Sequence, residues 1–443
     1  MPRLFGTDGI RGVANVDLKP TLAYALGRAT AHRLTEPGGR IDVGQDTRRS
    51  GDMFVAAIVA GATSLGIDVH VTGVVPTPAL AYLARTGPYA AGIMVSASHN
   101  PAEDNGLKVL DADGLKLDDS IEDELEQLIW REGELSGVGN DALGRRVDAR
   151  AEVEAYRAHR AGLAASIAGS GLRIVLDGAN GSGSAFGPAI LAGTGATVEA
   201  IHVDPDGVNI NVRSGATAPA SLAEAVVARG ADVGFALDGD ADRLIAVDAT
   251  GQVVDGDQVL GILALERLSR DGLPGGLVVS VLSNGGLQAA VEAAGGTVVR
   301  TPVGDKYILE GMQVSGAVLG GEKSGHVIVL EHTTSGDGIV TALEVLRVMT
   351  SRGSTLAELA AAIPMLPQQQ RAVKARHKDQ WEGDPVLGRA IAEATARLAG
   401  TGRVLVRPSG TEPALRVMVE GPDEALVAEL ADALAALAGE RLN

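Results

Sequence analysis

The chain lacks cysteine and is poor in aromatic residues and in basic charge. None of its 443 residues is cysteine, which excludes disulfides, thiolate nucleophiles and Cys-ligated zinc or iron–sulfur centres and favours a reducing compartment. Its 38 Lys and Arg face 56 Asp and Glu, a net charge of −18. Nucleic acids and anionic lipid surfaces bind proteins with the opposite balance. We therefore expect a cytoplasmic protein with neither nucleic acid nor membrane as a partner.

The sequence also has no run apolar enough to cross a membrane. The best candidate, residues 273–291, is uncharged but contains Pro274, four glycines and several polar residues, too polar and interrupted for a bilayer. Residues 1–6 lack the apolar segment of a signal peptide. Hydrophobic residues still make up 45% of the chain, with only two Trp, five Tyr and four Phe. The predicted cores are therefore built from small aliphatic side chains.

Three segments share one pattern: an apolar strand, a loop of small residues, a helical run and a second apolar strand. They are residues 41–71, 173–199 and 277–299. This pattern predicts a βαβ unit, whose right-handed crossover makes its two strands parallel. Three such units spread over the chain predict three related α/β domains.

The C-terminal part has a different pattern. Residues 385–398 and 424–441 predict helices, and residues 402–406 and 414–420 predict strands around a polar loop. The expected fold is therefore three related α/β domains with mixed, βαβ-containing sheets, followed by a smaller α+β domain. We place the domains at residues 1–150, 151–250, 251–366 and 367–443.

A serine-containing loop follows the apolar run of residues 90–95. It reads Ser96-Ala97-Ser98-His99-Asn100-Pro101, and Lys108 lies a few residues further on. Ligands of open α/β sheets gather at the carboxyl ends of the strands. Two interpretations are open: a serine that acts as nucleophile or phosphoryl acceptor, or an ordinary turn whose Ser and Asn side chains bond to backbone.

An acidic loop follows a second apolar strand. Asp238, Asp240 and Asp242 alternate with Gly239 and Ala241. Three carboxylates at this spacing suit a hard cation such as Mg²⁺. The loop is not an EF-hand, because Arg243 stands where that motif needs glycine. The alternatives are an aspartyl phosphatase with Asp238 as nucleophile and a plain acidic turn.

A third loop, Gly320-Gly321-Glu322-Lys323-Ser324-Gly325-His326, follows a predicted strand at residues 316–319. Glu, Ser and His on one glycine-flanked loop can bind sugar hydroxyls or move protons. The alternative is a loop whose histidine is merely solvated.

Two further loops have the composition of anion-binding loops. Residues 5–12 combine three glycines with Thr7 and Arg11, a weak signal alone. The C-terminal loop has two guanidiniums, two hydroxyls and a glycine turn, which suit a phosphate, although a hairpin turn with a surface ion pair has the same composition. Its candidate residues are Arg407, Ser409, Gly410, Thr411 and Arg416.

These five loops, in this order along the chain, resemble those of the α-D-phosphohexomutase family. The matching segments read Gly-Thr-Asp-Gly-Ile-Arg-Gly, Ser-Ala-Ser-His-Asn-Pro, Asp-Gly-Asp-Ala-Asp-Arg, Gly-Glu-x-Ser-Gly-His and Arg-Pro-Ser-Gly-Thr-Glu-Pro. They extend over nearly the whole chain and are most similar to bacterial members that act on glucosamine phosphates. The resemblance implies four domains around a central cleft.

The resemblance also implies a role for each loop. Ser98 would be phosphorylated and would share a magnesium ion with Asp238, Asp240 and Asp242. Glu322 and Ser324 would bind sugar hydroxyls, and the C-terminal loop residues Arg407, Ser409, Gly410, Thr411 and Arg416 would bind the substrate's own phosphate. Lys108, His326 and Arg11 would lie close to the transferring group.

The implied reaction interconverts a sugar 6-phosphate and a sugar 1-phosphate, with Mg²⁺ as cofactor and a sugar 1,6-bisphosphate as intermediate and activator. The glucosamine-specific members usually carry Gln where this chain has Lys323, so mannose or glucose phosphates are the alternative substrates. A non-catalytic sugar-phosphate sensor is the remoter alternative. The family resemblance further suggests a homodimer.

Overall fold

The structure is a computed structural model that describes residues 3–6, 8–167, 169–409 and 413–443. The chain divides into two compact units by its internal contacts. The first unit contains residues 1–282 and 294–362, and the second contains residues 283–293 and 363–443. The predicted domain limits at 150, 250 and 366 remain predictions.

The first sheet of the large unit has six strands in the order β1-β5-β4-β2-β3-β6. Strands β2, β3, β4 and β6 run parallel, and β5 and then β1 continue the sheet antiparallel. The elements of this part are β1 (Ile10–Val13), α1 (Pro20–Leu34), β2 (Arg40–Gln45), α2 (Gly51–Thr63), β3 (Asp68–Val74), α3 (Thr77–Thr86), β4 (Ala91–Val95), β5 (Asp104–Asp111), α4 (Asp119–Trp130) and β6 (Arg146–Asp148).

The second sheet has five strands in the order β11-β10-β9-β7-β8. Its central strand β9 is buried along its whole length, as expected for an apolar run covered on both faces. The elements of this part are α5 (Glu154–Ala165), β7 (Arg173–Asp177), α6 (Gly187–Ala192), β8 (Thr197–Ile201), α7 (Ala220–Arg229), β9 (Val233–Leu237), β10 (Leu244–Asp248) and β11 (Val253–Val254).

The third sheet has four strands in the order β13-β12-β14-β15. The next part of the chain contains α8 (Gly256–Arg270), β12 (Leu277–Ser280), α9 (Gly285–Ala293), β13 (Val298–Thr301), α10 (Asp305–Ser315), β14 (Leu319–Gly321), β15 (Val327–Val329), α11 (Gly338–Arg352) and α12 (Leu356–Ala360). Helices α8 and α11 begin where the side chains of Asp255 and Asp337 accept hydrogen bonds from the first free backbone amides, which is the usual N-cap chemistry.

All three sheets share one strand order. In each, the first strand of the predicted βαβ unit lies between its parallel partner and a third parallel strand, and an antiparallel strand follows: β3-β2-β4-β5, β8-β7-β9-β10 and β13-β12-β14-β15. This confirms the prediction of three related α/β domains with mixed sheets.

One predicted strand is wrong in its limits. Residues 316–319 were expected to be extended, but Gly316 ends α10 in the left-handed conformation with φ of 73°. The strand begins only at Leu319 and includes Gly320 and Gly321. A glycine after a helix favours this C-cap over an extended backbone.

The small unit contains α9 and an antiparallel sheet in the order β16-β18-β17. Its remaining elements are β16 (Gln368–Lys374), α13 (Pro385–Arg397), β17 (Arg403–Pro408), β18 (Ala414–Glu420) and α14 (Glu424–Leu442). Buried aliphatic side chains such as Leu387, Leu415 and Leu430 form its core. The predicted α+β character of this region is confirmed. Among the described residues of the chain, no helix is long and apolar enough to cross a membrane.

Candidate active site

Ser98 lies in the loop that follows β4 and is fully buried. Its φ of 53° places it in the left-handed region, which residues with a Cβ adopt only when neighbouring contacts hold them there. Its amide donates to Ser96 Oγ at 2.9 Å, and its own Oγ donates to Asp238 Oδ2 at 2.5 Å. The backbone thus directs the serine hydroxyl at the acidic loop.

The acidic loop connects β9 to β10, so its three aspartates sit at the carboxyl end of a buried strand. Asp238 and Asp240 are completely buried and Asp242 is 4% exposed. One oxygen from each carboxylate lies within 4.8 Å of the other two. Gly239 is required here, because a Cβ at that position would lie 2.5 Å from the Ser98 carbonyl oxygen. The structure thus brings Ser98 and the three aspartates together.

Two oxygens of the aspartates have no hydrogen-bond partner among the described residues, which suits them to a divalent cation. Oδ1 of Asp240 and Oδ1 of Asp242 are buried and have no hydrogen-bond partner among the described residues. Leaving a buried carboxylate oxygen unsatisfied is costly. Hard cations such as Mg²⁺ and Ca²⁺ take such oxygens as ligands. The residues present therefore fit a metal ion.

One basic side chain, one hydroxyl and one backbone amide surround the three carboxylates. Lys108, on β5, is 2% exposed and places Nζ 2.7 Å from Asp240 Oδ2 and 3.7 Å from Asp242 Oδ2. Thr77, at the start of α3, donates its hydroxyl to the same Asp240 oxygen at 2.6 Å. The backbone amide of Arg243 donates to Asp238 Oδ1 at 3.2 Å.

These neighbours separate the pKa values of two of the aspartates. Burial, together with the charges of Asp242 and Asp240, raises the pKa of Asp238 well above its usual value. Burial acts in the same direction on Asp240, but the ammonium of Lys108 and the hydroxyl of Thr77 outweigh it and hold the pKa of Asp240 below its usual value. Burial would lower the pKa of Lys108, but the charges of Asp240 and Asp242 outweigh burial and raise that pKa. The Lys108–Asp240 pair is accordingly ionised.

The glycine-flanked loop is paired through its backbone with the acidic loop. Arg243 and His326 form an antiparallel bridge, and the amide of Leu244 donates to the Gly325 carbonyl at 3.0 Å. Gly325 has a φ of 91°, and a Cβ there would lie 2.2 Å from the Leu244 carbonyl oxygen. Within the loop, Glu322 Oε1 accepts from the Gly304 amide at 3.1 Å, and Ser324 is exposed.

His326 is 3% exposed, and its two ring nitrogens differ in their surroundings. Nε2 accepts a hydrogen bond from the Gly336 amide at 3.1 Å, whereas Nδ1 is buried without a partner among the described residues. A neutral ring that accepts at Nε2 carries its proton on Nδ1. In that tautomer Nδ1 is a hydrogen-bond donor, and Nε2, which also lies 3.5 Å from Asp305 Oδ2, is the ring nitrogen that can take up a proton.

A cavity of about 200 Å³ joins several of these side chains. Lys108, Asp242 and His326 line it together with Thr77, and leucine and isoleucine side chains such as Leu117, Ile121 and Ile328 also contribute to its lining. The structure thus brings Lys108, the acidic loop and the glycine-flanked loop to one place.

Arg11 contacts the serine loop through an intermediate residue. Its Nη1 donates to Asn100 Oδ1 at 3.2 Å, and its Nη2 forms an ion pair with Asp8. Burial lowers the pKa of Arg11, and the charge of Asp240 opposes that effect. Its predicted place close to the transferring group stays a prediction, supported by these neighbours.

The side-chain ammonium of Lys323 lies near the start of helix α8. Its Nζ lies 3.8 Å from Asp255 Oδ2, the carboxylate that caps α8, and its side chain is 36% exposed. The charge of Lys323 is thus partly balanced by an acid outside the three loops. This limits the repulsion that Lys323 would exert on a cationic ligand.

The arginines of the C-terminal loop lie on the small unit's hairpin. Arg407 on β17 and Arg416 on β18 are register partners, both half-buried. Register partners share one face of a sheet, and like charges placed so are unfavourable unless an anion lies near. Ser409 is buried, and its carbonyl accepts a hydrogen bond from Lys378. The predicted Gly410 and Thr411 lie outside the described residues.

Sequence reasoning missed several residues of the site. Thr77 and Asp305 both follow strands, β3 and β13, so the rule that ligands gather at the ends of parallel strands would have found them. Lys116 pairs with both Asp8 and Asp305, and nothing in its local sequence indicates this. Burial lowers the pKa of Lys116. Burial would raise the pKa of Asp305, but Lys116 and His326 outweigh it and lower that pKa.

Known proteins resemble the chain over its full length. Four family descriptions match in order: phosphoglucomutase/phosphomannomutase alpha/beta/alpha domains I, II and III at residues 2–136, 154–251 and 255–366, and the C-terminal domain at residues 368–437. The phosphoglucosamine mutase of Moorella thermoacetica is 54% identical over 96% of both chains. That of Frankia casuarinae is 47% identical over 99% of this chain and 98% of its own.

Solved structures show the same fold. A phosphoglucomutase/phosphomannomutase family protein from Burkholderia thailandensis superposes with a TM-score of 0.82 at 24% identity, covering 100% of this chain and 98% of its own. N-acetylphosphoglucosamine mutase of Aspergillus fumigatus, solved in complex with GlcNAc-6P and magnesium, has a TM-score of 0.72 at 20% identity, covering 99% and 96%. The chain belongs to the phosphoglucomutase/phosphomannomutase family.

Proposed function

We propose that this protein is an isomerase that interconverts glucosamine 6-phosphate and glucosamine 1-phosphate. The observation that carries the proposal is the buried hydrogen bond from Ser98 Oγ to Asp238, within a cluster of three aspartates that fits a metal ion. Relatives named phosphoglucosamine mutase, 46–54% identical over nearly the whole chain, support the choice of sugar. Lys323, whose charge is partly balanced by Asp255, does not argue against this sugar.

The reaction follows from a serine that carries a phosphoryl group. The bond between Ser98 Oγ and phosphorus breaks as a bond forms from phosphorus to the free sugar hydroxyl, which gives a 1,6-bisphosphate. The bisphosphate then turns round, and Ser98 takes back the other phosphoryl group. The hydroxyl proton passes to a neighbouring base, and Lys108 and His326, which line the same cavity, are the candidates. Lys108 would serve only after giving up the proton that it holds in its ion pair with Asp240.

The surrounding residues supply charge and orientation for this transfer. Lys108 and the backbone of Arg243 hold two of the aspartates in place. Mg²⁺, held by Asp238, Asp240, Asp242 and the phosphate on Ser98, would neutralise charge on the transferring oxygens. Glu322 and Ser324 would bind the sugar hydroxyls. Burial of the serine and aspartates keeps water from the phosphoserine.

The C-terminal loop would bind the phosphate that is not being transferred. Arg407 and Arg416 are register partners on adjacent strands, and each would offer a planar guanidinium fork of the kind that suits a phosphate. Because each substrate end carries a phosphate in turn, the loop must accept both. A sugar 1,6-bisphosphate is accordingly expected to activate the enzyme by phosphorylating Ser98. The cytoplasmic location and the homodimer expected from the sequence remain predictions.

The test compares kcat/KM for glucosamine 1-phosphate, glucose 1-phosphate and mannose 1-phosphate, with magnesium and a trace of glucose 1,6-bisphosphate. A preference for glucosamine 1-phosphate supports the proposal. A preference for glucose or mannose would keep the mutase mechanism and overturn the sugar. Release of inorganic phosphate with labelling of Asp238 would instead indicate an aspartyl phosphatase, and binding without turnover would indicate a sensor.

A further inference from the structure

The loop that follows β2, residues 46–50, holds the serine loop by its backbone. Arg48 is the centre of this contact, and its side chain is fully buried. Its guanidinium donates to the carbonyl oxygens of Ser98 at 3.1 Å, Asn100 at 2.8 Å and Asp104 at 2.9 Å, and also to that of Pro101. A single side chain therefore satisfies four carbonyls of the segment that carries the reactive serine.

Arg48 is itself held in place by Asp46. Nε of Arg48 donates to Asp46 Oδ2 at 2.9 Å, and the same oxygen accepts the Ser96 hydroxyl at 2.7 Å. Ser96 Oγ in turn accepts the amide of Ser98 at 2.9 Å. The amide and the carbonyl of Ser98 are thus joined through one closed network of hydrogen bonds.

Asn211 completes the network from the second sheet's side. Its Nδ2 donates to the carbonyls of Ser98 at 2.9 Å and Asn100 at 3.0 Å, two of the oxygens that Arg48 also binds. The loop of residues 46–50 is in turn anchored there, because Thr47 Oγ1 donates to the Asn180 carbonyl at 2.6 Å. Two donors, one in the loop after β2 and one in a turn after β8, therefore fix the Ser98 carbonyl.

This arrangement matches what the left-handed Ser98 requires. With φ of 53°, Ser98 depends on its neighbours to keep a conformation that directs Oγ at Asp238. A buried ion pair such as Arg48–Asp46 contributes little net stability compared with apolar packing of the same volume. Fixing the geometry of the serine is a role that apolar packing would not fill.

We propose that Arg48, supported by Asp46 and Asn211, is a positioning residue that sets the line along which Ser98 gives and takes a phosphoryl group. The inference rests on the proposed mutase function. Ser98 must transfer to either end of a substrate that turns round, so its oxygen has to stay fixed while the substrate moves. Arg48 touches neither substrate nor phosphoryl group in this role, and acts through the serine backbone.

The test replaces Arg48 with Lys, which keeps the charge but cannot reach four carbonyls. The matched control is Arg28→Lys, since Arg28, on helix α1, is also a buried arginine. Its guanidinium donates to Ser64 Oγ at 2.7 Å and is ion-paired with Glu132 at 3.1 Å. We expect Arg48→Lys to lower kcat and the single-turnover rate of phosphoryl transfer from phospho-Ser98 about 100-fold. KM should change less than about twofold, because the substrate contacts are untouched.

The proposal would be overturned if Arg28→Lys lost as much activity as Arg48→Lys and the loss followed the thermal midpoint in both variants. An unchanged kcat in folded Arg48→Lys would also overturn it. If the wild type has no mutase activity in the same assay, the proposed function fails instead, so the two failures are distinguishable.

A second pair keeps the test decisive if Arg48→Lys does not fold. Asn211→Gly removes the other donor to Ser98, and Asn15→Gly is its control, because both asparagines have positive φ, 60° and 63°, which glycine adopts freely. Asn15 is exposed, and its backbone N–H donates to the Leu18 carbonyl oxygen. We expect Asn211→Gly to lower kcat about 10-fold with KM unchanged, and Asn15→Gly to leave both unchanged. Equal kcat values in the two variants would refute the positioning role.

Discussion

The two compact units differ in where they keep their charged residues. The large unit buries many, among them Asp46, Arg48, Lys108, Arg160, Asp238, Asp240, Asp337 and Glu344. Among the charged residues that the structure describes in the small unit, only Glu420 is buried, and ion pairs there such as Arg397–Glu429 and Arg371–Asp432 are largely exposed.

This difference corresponds to two kinds of chemistry. Buried charges act in a low-dielectric surrounding, where each interaction is strong and each unpaired group is costly. Such a surrounding suits a phosphoryl transfer that water must not reach. Half-exposed arginines such as Arg407 and Arg416 interact more weakly, which suits binding and release of a phosphate that changes place. The following substitutions test this division.

The largest effect is expected at the serine. Ser98→Ala removes the proposed phosphoryl carrier, and loss of a covalent nucleophile lowers kcat by roughly 10⁶-fold. Because Ser98 Oγ makes one hydrogen bond to Asp238, the variant should fold, and circular dichroism will show whether it does. Intact mass after incubation with glucose 1,6-bisphosphate should show no added phosphate. Turnover at the wild-type rate would refute the assignment of Ser98.

The next effect is expected at the metal ligands. Asp240→Asn keeps the shape but removes the charge, and should weaken Mg²⁺ binding at least about 100-fold, since even outer-shell partners of a metal contribute 10- to 100-fold. Isothermal titration measures this directly. Asp248→Asn is the control, because Asp248 ends the adjoining strand and accepts bonds from Thr250 and Gln252. Equal affinities in the two variants would remove Asp240 from the metal site.

The positions of these loops could be predicted from the sequence, because they follow apolar strands, whereas the roles of their residues rest on the family resemblance. Ser98 comes after β4 and Asp238 after β9, and in both places an apolar run ends abruptly in polar residues. The contacts that hold these loops could not be predicted. The bond from Thr77 to Asp240 spans 163 residues, and the four carbonyls bound by Arg48 lie about 50 residues away in a different loop. Such pairs depend on how the sheets pack, which periodicity does not contain.

Buried charge should also affect stability as a function of pH. Burial would raise the pKa of Glu344, but hydrogen bonds from His332 and Arg347 outweigh it and lower that pKa to about 2. A lowered carboxyl pKa stabilises the fold above the unfolded value near 4.5, and the stabilisation is lost as pH falls toward 2. Glu344→Gln should therefore cost about 3 kcal/mol at pH 7 and almost nothing at pH 2.

Urea unfolding at a series of pH values measures this difference. Glu429→Gln, which breaks the exposed pair with Arg397 in the small unit, is the matched control and should change the midpoint little at any pH. A Glu344→Gln effect that does not depend on pH would contradict the contrast between buried and exposed pairs.

The smallest effect is expected at the half-exposed phosphate loop. Arg416→Ala removes one guanidinium opposite Arg407 and should raise KM about 10-fold, the lower part of the range for a hydrogen bond to a charged group, with kcat within about threefold. Phosphorylation of Ser98 by bisphosphate, measured at saturation by intact mass, should persist. Arg371→Ala on the neighbouring strand, where Arg371 pairs with Asp432 at 2.6 Å, should leave KM unchanged. If Arg416→Ala lowered kcat as strongly as the aspartate variant, the small unit would take part in the chemical step, and the division between buried and exposed charge would not hold.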